Sequence, residues 1–265
     1  MLRLLLSLLR LRYRVRAVGV EQISKITTPI LFLFEHPARH DSFFQFTILA
    51  ALKNEMTGDP MLPAYVAEGD VVINPSIQRL CKSKLMTFPK VFPSPFATAP
   101  EERTRQAEKL INDVISYLKS GRHVALSPTG MLMRADGATI MKKKYGTSRI
   151  LQAFQAGELT VVATKFTGLF GSVWSRALNG ELAAGPLIKK VMWSFLKGGV
   201  IFSCRRDITV SFETCALPMG NEATLESVNC AIESVFSTKH VGKFVAYNFF
   251  DKKTLRELSL ELEKT

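Results

Sequence analysis

The sequence predicts an α/β fold, a mainly parallel β-sheet flanked by helices, and two observations lead to it. Continuous apolar runs such as PILFLF (29–34) are typical of strands that are buried on both faces. Segments with the apolar spacing of amphipathic helices alternate with these runs. A strand–helix–strand order of this kind builds parallel sheets with helices on both faces.

The individual elements follow from local patterns. The clearest helix is predicted over 101–120, where apolar residues recur at spacings of three and one and Gly121 follows as a C-terminal cap. A second helix is predicted over 42–52, with Asp41 as its N-cap. The remaining predicted helices are 148–156, 222–236 and 252–263, and the remaining strands are HVALS (123–127), LTVVATKF (159–166) and DITVSFE (207–213).

Composition narrows the class of partner. The chain has 265 residues, 35 of them Lys or Arg and 23 Asp or Glu, so its formal net charge is +12. Such a charge favours an anionic partner: nucleic acid, a membrane surface, or a phosphorylated or acidic molecule. Aromatic residues make up only 9% and no nucleic-acid-binding motif is present, so we expect no nucleic-acid partner. The four cysteines show no C-x-x-C spacing, which favours a reducing compartment.

The N-terminus, MLRLLLSLLRLR (1–12), predicts an amphipathic helix. At helical spacing Arg3, Ser7, Arg10 and, just beyond this range, Arg14 share one stripe, and leucines occupy the opposite side. Such a helix suits a membrane interface, with its leucines in the lipid and its arginines among the headgroups. The alternative is a helix that packs against its own domain. No apolar run reaches the roughly 18 residues that a membrane-spanning helix needs.

The segment FEHPARHDSF (34–43) carries the main candidate for chemistry. A histidine can remove a proton near neutral pH when a carboxylate holds its ring in the correct tautomer, and Asp41 is close enough in sequence to do this for His36. A metal site built on His36 and His40 is a second reading, although Pro37 opposes a shared helical face. A purely structural pair is the third.

The same segment and LSPTG (126–130) each follow a predicted strand. Sites in parallel sheets collect where strands end, so we expect these two segments to be neighbours although about ninety residues separate them.

His36-Pro-Ala-Arg-His-Asp41 after an apolar strand resembles the H-x4-D motif of the glycerolipid acyltransferase family, which includes 1-acylglycerol-3-phosphate acyltransferases. The order of further segments adds to the resemblance. YRVRAVGVEQI (13–23) is similar to the lead-in strand of that family, and 64–91 to the segment ending in its second motif, with Lys90 in place of the usual arginine. Residues 118–134 resemble the third motif, and 142–169 the closing helix and strand, so the likeness covers roughly residues 12 to 175.

The third motif departs from the family. Its usual F-P-E-G is S-P-T-G here, so Thr129 replaces the glutamate and Ser127 the phenylalanine. One subgroup of the family has a small hydroxyl residue at the position of Thr129. The chain resembles that subgroup in a second segment as well, GLFGSVWSRA (168–177). That subgroup is associated with acyl-acyl-carrier-protein synthetases.

The resemblance implies His36 and Asp41 as catalytic residues. The substrate-binding candidates are Lys90, Ser127, Pro128, Thr129, Gly130, Arg134, Lys142 and Arg176, where Arg176 either binds a headgroup or pins a loop. Arg205 and Arg206 are expected to be a basic surface. No cofactor and no metal are expected.

The implied reaction moves a fatty acyl group from acyl-acyl-carrier protein or acyl-CoA to the hydroxyl of 1-acylglycerol-3-phosphate. Alternatives are a lysophosphatidylethanolamine-type acyltransferase and a non-catalytic lipid-binding relative. We expect a membrane-interface helix over 1–12, an acyltransferase domain over 13–250 and a C-terminal helix over 251–265. The expected location is the cytoplasmic face of a membrane, in a peripheral or interfacial position.

Overall fold

The computed structural model describes most of the predicted domain. The described residues are 13–39, 41–67, 90–95, 98–134, 137, 145–172, 174–176, 205–237, 242–244 and 258–260, with single positions at 186, 193 and 196. The predicted membrane-interface helix over 1–12 lies outside these residues, as do His40 and Lys142.

The elements alternate as the sequence predicts. The strands are β1 (Tyr13–Val18), β2 (Ile30–Phe34), β3 (Ala64–Ala67), β4 (Val91–Pro93), β5 (Val124–Leu126), β6 (Thr160–Thr167), β7 (Arg206–Cys215), β8 (Gly242–Phe244) and β9 (Leu258–Leu260). The helices are α1 (Val20–Ile23), α2 (Asp41–Leu49), α3 (Pro100–Lys119), α4 (Tyr145–Gln152) and α5 (Leu225–Val235), with a 3-10 turn at Gly220–Glu222.

The described strands form a seven-stranded sheet in the order β1-β7-β6-β2-β5-β3-β4. All neighbours run parallel except β6 and β7, which are antiparallel. The sheet and its flanking helices confirm the predicted α/β fold.

Strand β2 lies at the centre of this sheet and is buried on both faces. Leu31 and Leu33 belong to a core shared with α3, α4 and α5. Ile30, Phe32 and Phe34 point to the other face, where they pack with residues of α1 and α2. Successive side chains of a strand alternate between faces, so an unbroken apolar run is what two covered faces require.

Helix α3 shows why its pattern was readable. Its apolar residues turn one stripe toward the sheet, where Val114 and Leu118 are fully buried. The helix stops at Lys119, and Gly121 follows with φ +81°, a left-handed conformation that glycine adopts without a Cβ penalty.

Two predicted helices differ most from the structure. Helix α4 begins at Tyr145 and ends at Gln152, earlier than the predicted 148–156, because Ala153 and Phe154 continue in tight turns to Ile150 and Leu151. The predicted helix over 252–263 is wrong at Leu258–Leu260, which instead pair antiparallel with Gly242–Phe244 in a separate two-stranded sheet. Hydrogen bonding to a distant strand overrides the helical spacing there.

Candidate active site

The two predicted strand-end segments are neighbours. Strands β2 and β5 pair in parallel with Leu33 opposite Leu126, so both chains emerge at the same edge of the sheet. We call residues 35–41 the His–Asp loop and residues 127–130 the third-motif turn. Just beyond the turn, the Met133 amide donates to the His36 carbonyl at 2.8 Å, which ties the two segments together.

His36 and Asp41 contact each other directly. The Nδ1 atom of His36 lies 2.7 Å from Oδ2 of Asp41. The Asp41 side chain is fully buried, whereas the imidazole is 26% exposed. With Nδ1 donating to the carboxylate, Nε2 is the ring nitrogen with a lone pair, which is the arrangement of a histidine general base.

Backbone donors fix the position of the Asp41 carboxylate. Its Oδ2 also accepts from the Ala38 amide at 3.3 Å, and its Oδ1 accepts from the Ser42 amide. Asp41 is the first residue of α2 rather than the N-cap before it, which corrects the prediction. The carboxylate therefore turns back into the loop, and it also lies at the positive end of the helix.

The third-motif turn holds itself together. Thr129 is buried, and its hydroxyl contacts the Ser127 hydroxyl (3.1 Å), the Met131 carbonyl (3.0 Å) and the Met131 amide (3.3 Å). Pro128 is buried as well, while Gly130 is exposed with φ +58°. The structure thus places Thr129 in the turn's internal bonding, and leaves the backbone at Gly130 as the accessible part of the turn.

A third segment, residues 168–172 and 174–176, contacts the His–Asp loop and the chain just after the third-motif turn. The Arg39 amide donates to the Trp174 carbonyl at 3.2 Å, and Arg176 Nη1 reaches the Leu132 carbonyl at 3.5 Å. Of the two predicted roles for Arg176, this contact fits the pinning of a loop. Arg134 is exposed on the chain that follows the third-motif turn.

Arg206 was misjudged from the sequence. The predicted basic surface holds for Arg205, which is exposed, but Arg206 is only 3% exposed. Its guanidinium donates to the carbonyls of Gly168 (2.6 Å), Gly171 (3.1 Å) and Phe170 (3.5 Å) and so shapes the 168–176 segment. The signal available in the sequence was the parity of β7, since Ile208 and Val210 point inward on the same side.

Lys90 is not brought to the His–Asp loop. It directly precedes β4, which is the edge strand of the sheet. Its Nζ lies 4.7 Å from the Phe92 ring centre and 4.6 Å from that of Tyr117. The strand order explains this position, because β5 and β3 separate β4 from β2. Its contact with substrate stays a prediction.

The segments next to the His36–Asp41 pair also carry buried polar residues that the sequence did not predict. Glu35 accepts from the Phe166 amide at 3.3 Å, and Gln45 donates to the Thr164 hydroxyl at 2.7 Å. Tyr65 is 6% exposed, and burial, with a further contribution from the Asp41 charge, raises its pKa well above the ordinary value. No local pattern in the sequence identifies these residues, because they lie on separate segments that only the fold brings together.

Other features of the described residues lie apart from this site. A cavity of about 490 Å³ lies between β4 and α3 and is lined in part by Phe92, Glu102 and Lys109. None of its lining residues belongs to the His–Asp loop or the third-motif turn.

Among the residues that the structure describes, no three His, Cys, Asp or Glu side chains cluster as metal ligands would. Within that same part of the chain, none of the helices combines the length and the apolar character needed to cross a bilayer. No protein-family model and no curated protein matches the chain.

Proposed function

We propose that the protein is an O-acyltransferase that moves a fatty acyl group from an acyl thioester to the hydroxyl of a lysophospholipid, with 1-acylglycerol-3-phosphate as the first candidate acceptor. The observation that carries the proposal is the 2.7 Å contact between His36 Nδ1 and the buried Asp41 carboxylate, beside a partly exposed imidazole. The resemblance to the H-x4-D motif supports the same reaction.

The proposed reaction needs one base. His36 Nε2 removes the proton of the acceptor hydroxyl while the oxygen attacks the thioester carbonyl carbon. The C–S bond then breaks, and the departing thiolate takes the proton back from the imidazolium, leaving an ester and a thiol. Asp41 stabilises the imidazolium and holds the tautomer. Base assistance of this kind contributes about 10² to 10⁴ in rate.

The acceptor's phosphate would be bound without a glutamate in the third motif. Gly130 is exposed at φ +58°, and because glycine has no Cβ the acceptor can approach the turn closely there. Arg134, exposed three residues beyond the Met131 amide that Thr129 binds, supplies a cation on the same chain segment. We propose that these two positions, rather than Thr129, contact the acceptor.

The test uses the purified full-length chain with lysolipid and either acyl-CoA or acyl-acyl-carrier protein, and it follows the diacyl product by mass spectrometry. We expect product from the wild type and at least a hundredfold loss in His36→Ala. Equal product formation by the two proteins would refute the proposal and favour the lipid-binding alternative.

The same assay separates the acceptor classes. Lysophosphatidic acid and lysophosphatidylethanolamine are compared at equal concentration, each with both donors. A preference for the first supports the primary proposal, and a preference for the second supports the headgroup-bearing alternative. Arg134→Gln should raise the KM for the preferred acceptor, because it removes a cation from the proposed phosphate contact.

A further inference from the structure

Tyr65 belongs to an aromatic cluster that reaches His36 of the candidate active site. Its ring centre lies 6.4 Å from that of Phe34, whose ring in turn packs perpendicular to His36 at 6.2 Å. On its other side, Tyr65 meets Phe46 of α2 at 6.5 Å. The tyrosine therefore lies between the strand end that carries His36 and the helix that begins with Asp41.

The hydroxyl of Tyr65 is buried, yet it has no hydrogen-bond partner among the described residues. An unpaired buried donor costs free energy, so a hydroxyl in such a place calls for an explanation. Phenylalanine would fill the same space in this aromatic cluster without that cost. The phenolic oxygen of Tyr65, rather than its ring, is therefore the feature that needs a functional explanation.

Besides burial, the Asp41 carboxylate influences the pKa of this hydroxyl. Burial and the negative charge of Asp41 together raise the pKa of Tyr65, so the phenol keeps its proton over the whole working pH range. A hydroxyl dipole rotates to point its hydrogen toward a nearby negative charge, and the low dielectric of the interior strengthens that attraction.

We propose that Tyr65 is a positioning residue of the candidate active site, its hydroxyl acting on the Asp41 carboxylate and through it on the orientation of His36. This inference rests on the proposed acyltransferase function for its catalytic consequence. Oδ2 of Asp41 accepts hydrogen bonds from both His36 Nδ1 and the Ala38 amide. The dipole of the Tyr65 hydroxyl adds to the N–H donors that fix the position of the carboxylate, and this preserves the tautomer that leaves Nε2 as the base.

The test compares Tyr65→Phe with Tyr117→Phe. Both changes remove one phenolic oxygen, but Tyr117 lies on α3, where it packs against the core on the other face of the sheet. We expect Tyr65→Phe to lower kcat about three- to tenfold with KM unchanged, because the change removes the hydroxyl dipole that acts on the Asp41 carboxylate. Tyr117→Phe should change neither constant.

A second readout does not depend on turnover. The ring ¹⁵N shifts of His36, assigned among the four histidines by the His36→Gln spectrum, report its tautomer. We expect Tyr65→Phe to raise the fraction of the Nε2-protonated tautomer, and Tyr117→Phe to leave it unchanged.

The outcomes are distinguishable. An unchanged kcat and unchanged ¹⁵N shifts in Tyr65→Phe would overturn the inference and leave Tyr65 as a packing residue. If the wild type transfers no acyl group, the proposed function fails, and the ¹⁵N shifts alone then decide whether Tyr65 orients His36. A lower melting temperature with unchanged shifts would also count against the inference.

Discussion

Two histidines bracket strand β2, and their surroundings give them opposite roles. His36 follows the strand at its carboxyl end, is partly exposed, and donates through Nδ1 to a carboxylate. His123 lies beside the amino end of the strand, where its Nδ1 accepts from the Ile30 amide at 3.1 Å. The group that meets Nδ1 thus decides the tautomer, and the tautomer decides whether the outer nitrogen is a base or a donor.

The largest expected effect distinguishes the two histidines directly. His36→Gln should reduce acyl transfer by about 10² to 10⁴, because glutamine cannot take a proton. His123→Asn should keep activity near that of the wild type, since its side-chain oxygen can accept the Ile30 amide in place of Nδ1. Steady-state rates with the same donor and acceptor provide the measurement. Similar losses in both variants would show that the ends of β2 are not functionally distinct.

The next largest effect is on the stability of the 168–176 segment, which lies near the carboxyl end of β2. Arg206→Gln should lower the free energy of unfolding by about 3 kcal/mol, because it removes a buried guanidinium that serves three carbonyls of the 168–176 segment. Arg205→Gln is the matched control, since Arg205 is exposed, and should change stability by less than about 0.5 kcal/mol. Urea denaturation measures both. Equal effects would mean that the carbonyl contacts contribute little.

A smaller effect is expected at the carboxylate itself. Asp41→Asn should cost roughly 1–3 kcal/mol of stability, because two carboxylate oxygens meet three N–H donors and an amide offers only one oxygen. Asp207→Asn breaks an exposed ion pair with Arg14 and should cost about 0–1 kcal/mol. Thermal unfolding of both variants at neutral pH tests the difference. Asp41→Asn proving as mild as Asp207→Asn would indicate that the three donors find other partners.

The smallest expected effect is on the pH dependence of stability, and it involves His123 beside the amino end of β2. Burial lowers the pKa of His123 below its ordinary value of 6.5. The unfolded chain therefore binds a proton at a higher pH than the folded chain does, and stability should fall as the pH drops below about 6.5. His123→Asn should reduce this slope in urea titrations between pH 7 and pH 5. An unchanged slope would assign the pH dependence to other groups.

Much of the fold was readable from local pattern. The apolar run of β2 and the helical stripe of α3 were predicted almost to the residue, because burial on two faces and burial on one stripe leave different periods in sequence. The C-terminal segment was misread since pairing with a distant strand leaves no local period to detect. The separation of Lys90 from the His–Asp loop was not predicted for a related reason, because no short segment of sequence encodes the order of strands in a sheet.

The sequence by itself determined the α/β class, the five-residue step that lets His36 meet Asp41, and the meeting of the two strand-end loops, because each depends on short-range spacing or on a general rule of parallel sheets. Only the tertiary structure decided that Arg206 donates to carbonyls of the 168–176 segment, that Thr129 bonds within its own turn, that Nδ1 of His123 accepts a hydrogen bond from the Ile30 amide, and that Tyr65 packs against Phe34 and Phe46. Most of these contacts join residues far apart in the chain, and their energies depend on burial that packing alone creates.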